Sequence, residues 1–106
     1  MERAEVLEQA KTILEGKRNE EFGGLYNNFN KIAALWSEYL FGDADSIGPE
    51  DVAIMMMLLN VARLGSSEYQ SMDSWVDIAG YAACGAEIAS RSYKMPTKRE
   101  DSEEKA

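Results

Sequence analysis

From Val52 to Ala62 the chain runs through eleven residues of which only Asn60 is not apolar. The run follows Gly48-Pro49-Glu50-Asp51, and contains neither glycine nor proline. Proline suits the first helical position and acids in the first turn suit the positive end of the helix dipole, so a helix starts here. It is far too short to span a bilayer, which takes about 20 apolar residues. A helix apolar on every side is expected in the middle of a bundle. A chain of 106 residues has room for one domain. The fold class expected is therefore all-α, a four-helix bundle-like domain completed by oligomerisation, most simply as a twofold dimer.

Three more helical segments surround this one. The first runs from about Arg3 to Lys17, with Val6, Ala10, Ile13 and Leu14 on one stripe. Gly23-Gly24 interrupts the chain, and a second helix follows from Leu25 to Gly42, with Leu25, Phe29, Ile32, Trp36, Tyr39 and Leu40 on its apolar face. Gly65-Ser66-Ser67 is expected to close the third helix. A fourth begins near Ser71 to Asp73 and continues to about Ser90. Its glycines and alanines predict close approach by a neighbour, because a helical glycine otherwise costs about 1 kcal/mol relative to alanine. Residues 1–95 are assigned to one helical domain and 96–106 to a charged, disordered tail.

Composition narrows the function. Eleven basic against nineteen acidic residues give a net charge of −8, which argues against binding nucleic-acid polymers or an anionic membrane. Histidine is absent and Cys84 is the one cysteine. That excludes His-dependent triads, His-containing zinc sites and an internal disulfide framework, and fits a reducing compartment such as the cytoplasm. No basic segment followed by an apolar stretch opens the chain, so no secretory signal is expected.

Three constellations carry chemistry. Asp73, Asp77, Tyr81 and Cys84 fall at steps of three and four on one face of the fourth helix. The two carboxylates suit Mg²⁺, which takes one or two protein carboxylates and completes its shell with water and phosphate oxygens. The bland reading has Asp73 capping the helix and Asp77 in solvent or paired with an arginine. Asn60 and Arg63 are neighbours on the apolar third helix. Arg63 either clamps a phosphate or bridges Asp77 inside the bundle. The stretch from Lys17 to Phe29 places basic, amide and aromatic side chains around a Gly-Gly turn; it is an anion site beside stacking rings, or an ordinary turn capped by asparagines. Met55-Met56-Met57 and Trp36 are expected to fill the core. Cys84 has no histidine to activate it as a nucleophile.

The order Arg18-Asn19, Phe22-Gly23, Asn28-Phe29, Leu35-Trp36, Asp51-Val52-Ala53, Ala62-Arg63 and Asp73, ending in Asp77-Ile78-Ala79-Gly80-Tyr81, resembles a family of small, mostly phage-encoded proteins of unknown function. More remotely, the helix count and the carboxylates of the last helix resemble the all-α nucleoside triphosphate pyrophosphatases of the MazG type. Those enzymes hold Mg²⁺ with an E-x-x-E motif on one helix and an E-x-x-D motif on another. Here the second helix has no E-x-x-E, and Asn60 stands where the phage family usually carries lysine. The resemblance implies a MazG-like, phage-type nucleotide-binding protein of the host cytoplasm, with nucleotide and self as partners. Asp73 and Asp77 would hold Mg²⁺, Arg18 and Arg63 phosphates, and Asn28, Asn60 and Tyr81 the base or sugar. Three readings stay open: a Mg²⁺-dependent nucleotide pyrophosphohydrolase, a non-catalytic sponge that sequesters a nucleotide of host antiviral signalling, and a structural interaction module.

Overall fold

Four helices and no strand make up the residues that the computed structural model describes, 1–16 and 24–92. They are α1 (Arg3–Leu14), α2 (Leu25–Phe41), α3 (Pro49–Ser66) and α4 (Met72–Ser92). α1 stops one turn short of the expected Lys17, because the amides of Glu15 and Gly16 turn back onto the carbonyls of Lys11 and Ile13. Lys17, Gly23 and the segment between them lie outside the described residues, as does 93–106 with the expected disordered tail.

Each helix end has a local cause. α2 stops at Gly42, whose left-handed φ of 72° lets its amide donate to the Glu38 carbonyl, a geometry that favours glycine. α3 opens on Pro49, and the Asp51 carboxylate accepts the Gly48 amide at 2.9 Å. Its other end differs from the sequence expectation. The helix passes through Gly65 and is closed by Glu68 and Tyr69, both left-handed, with the Tyr69 amide donating to the Leu64 carbonyl at 2.8 Å. At the start of α4 the cap is Ser71, not Asp73: its hydroxyl oxygen accepts the Ser74 amide at 3.3 Å.

α4 is the spine. It packs most extensively on α3 and also carries α1, while α2 rests on α3. Phe29 and Ala33 of α2, Val52 and Ala53 of α3, Cys84 and Ile88 of α4, and Ile47 from the α2–α3 loop form the core. Leu14 packs against it, as do Trp36, Met55 and Met56, as expected for core filling; Met57 is half-buried but not part of this cluster. A β-carbon added at Gly85 would lie 3.1 Å from that of Ala53, so this glycine sets the approach of α4 to α3. Gly80 meets nothing within 4 Å and has no such role.

Two expectations of burial are corrected. Tyr39 is 88% exposed, and Leu40 is also exposed, so the apolar stripe of α2 ends at Trp36. Nor is α3 enclosed: Ile54, Leu58, Leu59 and Val61 are exposed in the single chain. α4 and α2 cover only the side of α3 that carries Val52, Ala53, Asn60 and Leu64.

Candidate functional site

α1 lies along α4 and leaves a groove on either side of their contact. One groove, of about 230 Å³, is lined by Ala10, Ile13 and Leu14 of α1 and by Val76, Asp77, Gly80, Tyr81 and Cys84 of α4. Asp77 and Tyr81 reach it together because they are one helical turn apart. Asp77 is half-buried there. The Tyr81 ring stands 6.3 Å from that of Phe29 at 40°, so one side of the tyrosine belongs to the core and the other to the groove. Burial, and secondarily the charge of Glu87, raise the pKa of the Cys84 thiol above its ordinary value. Cys84 is thus an uncharged wall of the groove rather than a nucleophile.

The remaining sequence-predicted residues are scattered. Asp73 is exposed one turn before Asp77 and does not line the groove. Arg63 is exposed on α3, and among the described residues it forms no ion pair with Asp77. Asn60 is 1% exposed; its amide nitrogen donates to the Met56 carbonyl at 2.9 Å, and its Oδ1 has no hydrogen-bond partner among the described residues. Asn28 is half-buried in the first turn of α2, far along the chain from the groove residues. Arg18 lies outside the described residues. No three acidic or thiol side chains of the described residues converge on one point. Asp73 and Asp77 therefore fit only the sparest Mg²⁺ mode, two carboxylates with the remaining positions left to water and phosphate.

The second groove, of about 370 Å³, is lined by Arg3, Val6, Leu7, Trp75, Ile78 and Ala79. Trp75 is partly exposed, and its indole N–H donates to the Tyr69 carbonyl at 3.0 Å. Sequence reasoning passed over this tryptophan. The signal was the spacing Trp75, Ile78, Ala79, a second apolar stripe beside the one that holds Asp77.

Residues 5–89 match the family described as a domain of unknown function, DUF6378. The chain belongs to the DUF6378 family. It is 38% identical over 95 residues to the Gene 55 protein of Mycobacterium phage D29, covering 90% of this chain and 58% of that protein. It is 43% identical over 77 residues to the Gene 55 protein of Mycobacterium phage L5, covering 73% of this chain and 47% of that one. The DUF6378 chain thus spans about half the length of these two phage relatives. No solved structure matches it. The resemblance to a small phage family of unknown function is borne out, and the matched span contains the groove of Asp77 and Tyr81 and all of the second groove's lining except Arg3. No described helix of the DUF6378 chain is long and apolar enough to cross a membrane.

Proposed function

We propose that this DUF6378 chain is a phage-type binding protein for a nucleotide or nucleotide-derived small molecule, working as a homo-oligomer of MazG-like helical architecture in the host cytoplasm. The observation that carries the reading is the meeting of Asp77 and Tyr81 in one groove, since both were singled out by residue type and spacing alone. Tyr81 offers a ring edge and a hydroxyl to a base or sugar. Asp77, with Asp73 outside the rim, offers carboxylate oxygen to Mg²⁺ and through it to phosphate; bound there, Mg²⁺ would neutralise phosphate charge. Arg18 is assigned to phosphate. The groove of about 230 Å³ is smaller than the ~300–1,000 Å³ usual for a small-molecule site, so it suits the base and sugar with the phosphates outside.

Sequestration fits the described carboxylates better than hydrolysis. Two acids on one helix suffice to hold a metal–phosphate complex, whereas the MazG-type set draws on two helices. A structural interaction module is the second reading, favoured by the apolar walls of both grooves.

Calorimetric titration with mono-, di-, tri- and cyclic dinucleotides, with and without Mg²⁺, tests the proposal. Binding is expected for one of these classes, weakened at least tenfold, or about 1.4 kcal/mol, by Asp77→Asn and by Tyr81→Ala. Ligand recovered intact after denaturation identifies a sponge; pyrophosphate released in a Mg²⁺-dependent way identifies the hydrolase. Absence of binding across the panel leaves the interaction module.

A further inference from the structure

The exposed side of α3 is patterned. Ile54, Leu58, Val61 and Gly65 recur at steps of four, three and four, and all four are exposed. These are the alternating steps at which one helix packs along another. The spacing is also a palindrome: read from either end, the seam presents the same steps. A twofold axis crossing the helix between Leu58 and Val61 therefore sets Ile54 against Gly65, and Leu58 against Val61, in both directions at once. That is the reciprocity a closed twofold interface requires. The sizes agree, because a β-carbon at Gly65 would meet nothing within 4 Å, leaving an open notch for an isoleucine.

Charge points to the same occupant. Two copies of a chain with net charge −8 repel unless they meet on neutral ground, and Val52 to Ala62 carries no ionisable residue. α3 itself exposes four large apolar side chains, Ile54, Leu58, Leu59 and Val61, to between 42% and 61%. At roughly 60–120 Å² of apolar surface for each such side chain fully uncovered, α3 offers roughly 120–240 Å². A standard interface of about 800 Å² per partner is a little over half apolar, about 450 Å², so α3 alone makes a contact of the small, transient class.

We infer that a second copy of this chain docks antiparallel along α3, with Ile54 seated at the partner's Gly65 and Leu58 on the partner's Val61. The inference rests on the oligomeric part of the reading above, and adds to it the face and the register. Light scattering of the full chain at tens of micromolar is expected to give the dimer mass, and Leu58→Lys the monomer mass with unchanged helical circular dichroism. In a Cys84→Ser background, the Ile54→Cys, Gly65→Cys double variant should cross-link between chains under mild oxidation. Ile54→Cys alone should not, because the two Ile54 positions stand about 16 Å apart along an antiparallel pair, beyond the ~7 Å reach of a disulfide. A monomer from the unaltered chain would overturn the oligomeric reading together with this one. A dimer indifferent to Leu58→Lys, or cross-linked by Ile54→Cys alone, would overturn only the face or the register. Should Leu58→Lys fail to fold, the cysteine pair decides. Nucleotide titration reads the groove of α1 and α4, so its outcome is separate from all of these.

Discussion

Ser37 ties two elements together through a single hydroxyl. Fully buried, it accepts the Ile47 amide at 2.8 Å and donates to the Ile47 carbonyl at 3.3 Å. Ile47 is a core residue on the α2–α3 loop, so this one side chain fixes where α3 begins relative to α2. Ser37→Ala leaves both backbone groups buried and unpaired, and is expected to cost about 1–3 kcal/mol. At roughly 4–8 °C per kcal/mol for a domain of this size, the loss is plain in a thermal melt; a melt unchanged by the substitution would show that the loop is held by Ile47 packing alone. Asn60 is the opposite case. Its amide nitrogen bonds within its own helix, while the buried Oδ1 has no donor among the described residues. Asn60→Ala removes that burden along with some packing, and the two effects are expected to leave stability within about 1 kcal/mol of the parent. A loss of several kcal/mol would mean that Oδ1 has a donor in solution. Ser37 was invisible in the sequence, being one serine on a helix with nothing in its spacing to betray a partner ten residues away. Asn60 stood out, because it interrupts an apolar run.

At the scale of the helix, periodicity disclosed all four elements to within a few residues, since each carries an amphipathic stripe or a punctuating Gly or Pro. What periodicity missed were the ends governed by backbone conformation: α3 closes on Glu68 and Tyr69 at positive φ, where no glycine announces the turn. It also missed exposure, because α3 reads as apolar all round whether or not a neighbour is present. The candidate site was legible in part. The line Asp77–Tyr81 foretold a shared face, but the α1 wall opposite it depends on how two distant segments pack. The two glycines of α4 separate stability from site. Gly85→Ala must push against the Ala53 methyl at 3.1 Å, which offsets its gain in helix propensity. Gly80→Ala meets no protein atom within 4 Å and should stabilise by about 0.5–1 kcal/mol. Its new methyl also projects where the groove is lined, so nucleotide affinity should fall while the melting temperature rises. A rise in both would place the ligand elsewhere.

For the molecule as a whole, charge is the controlling quantity. A net charge of −8 makes the folded chain repel itself. With no histidine to titrate, the charge holds nearly level from pH 8 to about pH 6, and repulsion is relieved only as carboxylates protonate toward the isoelectric region near 4.5, so stability should rise there. Two groups bound the range. Asp43 accepts the amides of Asp45 and Ser46 and the Ser46 hydroxyl, and these bonds, the hydroxyl first, hold its carboxyl below the ordinary 3.8. A group with a lowered folded pKa binds fewer protons folded than unfolded. Its contribution is therefore present above the ordinary value and is lost as the pH falls through the folded one. Cys84 has the reverse sign. Burial raises its thiol above the ordinary 9.0, so its contribution is complete below that value and fades as the pH climbs past it. Melting temperature against pH should accordingly peak near pH 5, fall below about pH 4 and decline again above about pH 9. Added salt should raise the melting temperature at pH 8, where repulsion is large, and do little near pH 5. A peak at pH 7 to 8, or a melting temperature at pH 8 that ignores salt, would mean that self-repulsion does not govern this fold. Cys84→Ser should flatten the alkaline limb alone, leaving the acid limb and the salt response where they were.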